Sequence, residues 1–460
     1  MDTGDTAWML ASSALVLLMT PGLAFFYGGM VRSKSVLNMI MMSFSAMGLI
    51  GVLWVLYGYS VAFGNDVGGG LLGNPGEFAG LQGTFGGTYL ATDGGPPVDI
   101  PLVGTIPATV FVAFQAMFAI ITVALISGAV ADRMKFGAWL LFAGLWATVV
   151  YFPVAHWVFS FDGVTAETGG WIANQLKAID FAGGTAVHIN AGAAALALVI
   201  VLGKRSGWPK EPMRPHNLTL VMLGAGLLWF GWFGFNAGSA VASNGIAGIT
   251  FVNTLVATSA AMLAWLLVER IRDGKPTSLG AASGVVAGLV AITPSCSAVS
   301  PLGAIAVGVI AGVLCALAVG LKFRFGYDDS LDVVGVHLVG GLVGTLLVGF
   351  FATSSAPAAV DGLFYGGGFD QLWRQAVGAI AVLVYSFVIS LVLGYIVKAV
   401  TGGGRLTAEA EATGIDEVEH AETGYDFSSH RSLAGIGSSR PAASAPAPAE
   451  QVPATAGKES

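Results

Sequence analysis

Asp180-Phe181-Ala182-Gly183-Gly184-Thr185-Ala186-Val187-His188-Ile189-Asn190-Ala191-Gly192 opens an apolar run that continues to Leu202. A carboxylate stands at its start and an imidazole eight residues on, with small or apolar side chains around them. An ionisable side chain inside a membrane span is costly, so it faces a cavity or a partner and marks a functional site by default. Read as a helix, the run sets Asp180 and His188 about 12 Å apart along the axis, the acid at the mouth and the histidine deep. Gly184 and Gly192 fall one turn before and one turn after His188 on its own face, so another helix can approach the ring. Whether this run crosses a membrane decides the fold.

Composition answers that question. Of 460 residues, 55% are hydrophobic and only 10% are charged, where a soluble domain carries about 25% charged residues. The chain reads as an all-α polytopic membrane protein that sits in a lipid bilayer. The net charge of -7 is spread unevenly over the loops, and no basic patch suggests nucleic acid. Cys296 and Cys315 are the only cysteines, which argues against a disulfide framework or a thiolate metal site. The acidic start Met1-Asp2-Thr3-Gly4-Asp5 lacks the basic region of a secretory signal, so the first apolar segment is expected to be kept.

Apolar segments long enough to cross about 30 Å, roughly 20 residues each, lie near 7–31, 37–63, 105–130, 137–159, 181–203, 217–238, 248–268, 279–295, 301–321, 331–352 and 374–400. That makes eleven transmembrane helices. Loops after odd-numbered spans carry thirteen Lys or Arg residues, from Arg32 and Lys34 to Lys322 and Arg324, against Lys177 and Arg374 after even-numbered spans. The positive-inside rule then puts the N-terminus outside and the C-terminus in the cytoplasm. The long outer loop 64–104 has no Lys or Arg but holds Asp66, Glu77, Asp93 and Asp99, a solvated cover mildly attractive to cations.

With that orientation His188 descends from the outer side and His337, on the tenth span, rises from the inner side. Their depths differ by about 9 Å in a core of about 30 Å, so they can meet near the midplane. The local sequences match. Val187-His188 is followed four residues later by Gly192, and Val336-His337 by Gly340-Gly341; an acid precedes each, Asp180 and Asp332. Phe25-Phe26-Tyr27-Gly28-Gly29 in span 1 echoes Trp232-Phe233-Gly234-Phe235-Asn236-Ala237-Gly238 in span 6. This is the pattern of an inverted repeat relating helices 1–5 to helices 6–10, with a site at their interface.

These segments, with Phe114-Gln115-Ala116-Met117-Phe118, Gly231 to Ser239 and Asp332-Val333-Val334-Gly335-Val336-His337, resemble the ammonium transporter (Amt/Mep/Rh) family, bacterial Amt type, from the first span to about Phe427. The resemblance implies an ammonium transporter of eleven helices, a homotrimer with one pore per subunit, in the cell (plasma) membrane and tied to nitrogen metabolism. It implies pore histidines His188 and His337 below a gate of stacked rings, Phe118 and Phe235, with Ser239 as a vestibule acceptor. Phe114 is a packing residue or a third gate ring. The family often has a vestibule tryptophan where counting from His156 puts Phe159, so either Phe159 serves, or Trp157 or Trp171 swings in. Asp180 reads as the N-cap of its helix or as a cation ligand, Asp332 as a cap, and Trp232, in the aromatic cluster of span 6, as a structural or recruitment residue. No cofactor and no metal are implied.

Three organisational units follow: a transmembrane channel or transporter domain at 1–400, a cytoplasmic segment at 401–427, acidic and helical after a Gly402-Gly403-Gly404 hinge, and a Ser-, Ala- and Pro-rich disordered tail at 428–460. The resemblance makes the middle one regulatory, with a PII-type signalling protein as partner at the cytoplasmic face. Two other function classes compete with transport. An ammonium sensor with little conduction is the alternative within the same fold. A membrane enzyme using His188, His337 and Asp180 would want more polar groups at one depth than the spans supply, so the chain does not read as an enzyme.

Overall fold

The computed structural model describes residues 1–86, 100–211 and 213–425; Asp93, Asp99 and the expected tail lie outside them. Among the described residues ten helices are long and apolar enough to cross a membrane. They are α1 Thr3–Met30, α2 Ser33–Phe63, α3 Ala108–Val130, α4 Phe136–Phe159, α5 Gly184–Leu202, α6 Leu218–Gly238, α7 Gly245–Arg272, α9 Pro301–Phe325, α10 Val334–Phe351 and α11 Asp370–Val400, with the shorter apolar α8, Ser278–Ile292, between α7 and α9. α8 ends three residues before its expected end, and Thr293, Ser295 and Ser297 follow it as a buried polar turn. The all-α expectation misses one detail: Leu102–Val103 pairs antiparallel with Ile106–Pro107.

Short polar side chains start the helices. Asp2 accepts from Asp5 N at 2.8 Å, Asn217 from Leu220 N at 3.0 Å, and Thr277 from Gly280 N at 2.8 Å, each satisfying an N–H that the first turn leaves open. Glycine sets how closely the helices cross. α1 meets α6 at Gly22 and Gly224, where a Cβ on Gly224 would fall 2.6 Å from Gly22 O.

α5 and α10 cross reciprocally. A Cβ on Gly192 would lie 2.5 Å from Leu338 N, and one on Gly341 would lie 3.0 Å from Ile189 N. Each glycine, four residues after one histidine, therefore packs on the residue that follows the other. Both helices open in a wide π turn, Gly184–Ile189 and Val334–Leu338, and each turn carries the histidine. Such turns widen the helix locally and recur at functional sites.

The carboxylates that start these two helices also correspond. Asp180 accepts from Gly183 N at 2.9 Å, Thr185 N at 2.8 Å and Ala186 N at 3.1 Å, besides Gly184 N and the Thr185 hydroxyl. On α10 the cap is Asp329, whose Oδ2 accepts from Val334 N at 2.7 Å. Asp329 stands eight residues before His337, as Asp180 stands eight before His188. The expected cap, Asp332, instead bends the chain at φ 63° and pairs with Lys322 Nζ at 2.7 Å; an adjacent ammonium outcompetes the helix end for its carboxylate.

The segment after α11 folds under the end of the bundle that carries the basic loops. It is helical only over α12 (Ala408–Thr413) and α13 (Ile415–His420), broken at Gly414 with φ 130°. Asp416 accepts from Leu37 N at 3.0 Å and Asn38 N at 2.8 Å, and Glu419 from Phe136 N at 2.8 Å. Acids of this segment thus cap the starts of α2 and α4. Burial raises the Asp416 carboxyl above its usual range, although the Asn38 and Leu37 amides oppose the rise. Nearby, the buried Arg205 guanidinium holds Asp328 through Nη2–Oδ1 at 2.7 Å and Nε–Oδ2 at 2.9 Å.

Candidate functional site

At the end opposite the basic loops, the bundle opens between α3, α4 and α6 into a cavity of about 300 Å³. Its walls include Phe111, Gln115, Phe118, Phe159, Phe161 and Ser239, with no ionised side chain among its lining residues. A wider lobe of about 490 Å³ adjoins it and shares Phe161, Phe181 and Ser239. The floor is a pair of rings. Phe118, one turn below Phe114 on α3, and Phe235 on α6 stack with centroids 4.2 Å apart at 24°. Both rings are buried, Phe118 lining the outer cavity and Phe235 the small space beneath.

That inner space is about 10 Å³, close to the smallest volume that holds one water-sized molecule. It is lined by aliphatic and aromatic groups, including Leu23, Leu125 and Val286, and by the two imidazoles. His188 Nδ1 lies 3.2 Å from His337 Nδ1, with the rings 23° from parallel and centroids 5.3 Å apart. Two like atoms at that distance share one proton, so one ring is the Nδ1–H tautomer and its neighbour the Nε2–H tautomer. Among the described residues the buried Nε2 of His188 has no hydrogen-bond partner.

Trp232 fixes the histidine plane. Its ring stacks on His188 at 5.4 Å and 19°. Its indole N–H donates to Thr293 Oγ1 at 2.9 Å, and Thr293 Oγ1 lies 3.2 Å from Asn236 Oδ1. The polar turn after α8 is therefore what orients the tryptophan behind the ring.

The structure brings His188, His337, Trp232 and Phe235 together around the inner space, and Phe118, Phe159 and Ser239 around the larger cavity above it. Phe159 stands edge-on to Phe118 at 6.3 Å and 78°. Ser239 Oγ donates to Phe235 O at 2.8 Å, which leaves its lone pairs as acceptors. Phe114 lies behind Phe118, centroids 4.9 Å apart, and outside the cavity lining. Trp157 is turned away: its N–H donates to Leu71 O at 2.8 Å and its ring rests on Trp171 and Tyr385. Neither tryptophan swings into the vestibule, because loop 64–86 and α11 already hold them. Asp180 is likewise occupied by its own helix start. His156 is buried against Ala62 O at 3.0 Å and Asp66 at 3.4 Å.

Sequence reasoning missed Phe161, Phe181 and Asp329. The two phenylalanines sit in loops, where no periodicity assigns a side, whereas the eight-residue spacing to each histidine was available to find Asp329.

A family model described as Ammonium Transporter Family matches residues 7–425. An ammonium transporter of Mycobacterium tuberculosis is 74% identical over 435 residues, covering 93% of this chain and 91% of that protein. Among solved structures, Saccharomyces cerevisiae Mep2 superposes with a TM-score of 0.78 at 32% identity, covering 89% of this chain and 88% of its own. A protein described as Sensor Amt Protein gives a TM-score of 0.80 at 28% identity, covering 91% and 98%. With a multi-pass bundle, an outer cavity and a match across nearly all of the described residues, this chain belongs to the ammonium transporter family.

Proposed function

We propose that this protein takes ammonium from the outer cavity, strips its proton and passes ammonia between His188 and His337. One observation carries the reading: with the Trp232 N–H engaged by Thr293, the polar groups left lining the inner space are the two imidazoles that share a proton. Ring faces in the vestibule attract a cation by about 0.5–2 kcal/mol, and Ser239 and Gln115 offer oxygens to its N–H groups. Potassium would be drawn there too. Below the Phe118–Phe235 stack a permanent ion finds too few oxygens to replace its water shell. Ammonium alone can leave a proton behind, and neutral ammonia then needs only the donor and acceptor that two imidazoles of opposite tautomer provide.

The same reading has eleven spans with the N-terminus outside, a homotrimer in the plasma membrane, and the segment 401–427 as a regulatory element bound by a PII-type signalling protein. The acids that cap α2 and α4 support the regulatory part, since they tie that segment to helices of the bundle. The likeness to a protein described as a sensor favours one alternative, binding with little conduction. Proteoliposome flux of ammonium and methylammonium separates them. Purified wild type should show flux that potassium does not share, and His188→Ala or His337→Ala should lose it while the protein still elutes as a folded oligomer. Flux equal to wild type in both variants refutes the pore mechanism; tight binding without flux in the wild type favours the sensor.

A further inference from the structure

On the transport reading, the lobe beside Gln115 holds a cation with no ionised group among its lining residues; the wider lobe adds Lys177 and Asp180, but the Asp180 carboxylate is taken up by its own helix start, so ring faces and neutral oxygens supply the attraction. Most of those rings are already spent on each other. Phe118 stacks on Phe235, Phe159 presses against Phe118, and Phe111 sits edge-on to Phe63 at 5.0 Å and 80°. Phe111, Phe118 and Phe159 are 2%, 1% and 6% exposed. Phe161 differs: it is 45% exposed, and among the described residues it stacks on no other ring. It also stands where the two lobes of the mouth join.

Its exposure is built in. Phe161 N donates to Thr165 Oγ1 at 2.7 Å, and Phe161 O accepts from Thr165 N at 3.1 Å and Val164 N at 3.2 Å. The turn is anchored at its ends by Gly169 N on Asp162 Oδ1 at 2.6 Å and Gly170 N on Ser160 O at 2.9 Å. A large apolar ring left nearly half exposed above such a turn gains only part of what burial would give; its open face is what it offers.

We propose that Phe161 is the ring that captures the incoming cation, a small monovalent ion with N–H donors, and that Phe159 serves chiefly to brace Phe118. This rests on the transport reading above. Thr165 is then a positioning residue, and the tryptophan that this mouth lacks at position 159 is replaced by a ring two residues further on.

The test is concentration-dependent methylammonium flux in proteoliposomes for wild type, Phe161→Leu, Phe161→Trp and Thr165→Val, each checked for folding by size-exclusion profile and melting temperature. Loss of one exposed cation–π contact should raise the half-saturating concentration about two- to fivefold in Phe161→Leu, with the maximal rate unchanged. Phe161→Trp should restore or lower it, and Thr165→Val should shift it in the same direction as Phe161→Leu. A Phe161→Leu curve superimposable on wild type overturns the proposal, and so does an equal weakening by Leu and Trp, which would indicate packing rather than the ring face. Wild-type flux no greater than protein-free liposomes removes the transport reading itself, and this inference with it.

Discussion

His188 and His337 meet through like atoms, a contact that forces the two rings into different protonation patterns and gives the inner space a direction of donor and acceptor. The residues behind them are as specific: Trp232 lies flat on one ring, and Thr293 holds Trp232. At the foot of α10, Asp329 is buried with Oδ1 unpartnered among the described residues, in contrast to the saturated carboxylate of Asp180. Burial, reinforced by the Asp332 carboxylate, pushes the Asp329 carboxyl up to about 6. A carboxyl that binds its proton more tightly in the folded chain than in the unfolded one adds stability at low pH, and this contribution is lost as pH rises through the folded value. The melting temperature in detergent should therefore contain a component that falls between the ordinary value of 3.8 and about 6. Asp329→Asn keeps an acceptor for Val334 N but cannot titrate, so it should show a shallower fall; identical slopes would refute the assignment. The histidines were legible in the sequence because an imidazole in an apolar run is costly unless it faces a cavity or a partner. Asp329 was hidden beside two more acids, and it is left to cap the helix because Arg205 holds Asp328 and Lys322 holds Asp332.

At the scale of elements, the crossing of α5 and α10 explains why the rings come within hydrogen-bond distance. Each π turn is seated against the glycine of the opposite helix, so any side chain there pushes the turns apart. The two glycines are not equally tight. A Cβ at position 192 would come 2.5 Å from Leu338 N, whereas at 341 the nearest approaches are 3.0 Å. Gly192→Ala should cost about 1–3 kcal/mol as an overpacked core position, and should lower the melting temperature and the flux more than Gly341→Ala does. The reverse order would show that the crossing relaxes in a way this packing does not allow. The ten long apolar helices fell close to their sequence-read bounds because chain length and hydropathy are enough to mark them. The π turns did not, since α5 and α10 are apolar on nearly every side and a helix without a polar face gives no period from which a local widening could be read.

Across the whole molecule, the acidic segment after α11 is tied into the bundle by hydrogen bonds to helix starts rather than by apolar burial alone. Removing one cap should free one helix start. In Asp416→Ala the amides of Leu37 and Asn38 should exchange hydrogen faster, with those of α6 unchanged; wild-type protection at both amides would mean that another group holds the segment. Its acidity was visible in the sequence, but its targets were not, because they lie 283 to 379 residues away along the chain.

The stacked pair Phe118 and Phe235 closes a space that accommodates about one small molecule. A file of waters does not fit there. On the transport reading proposed above, a proton can cross this point only by way of the imidazoles, so any leak of the cell's proton gradient is set by His188 and His337 rather than by water.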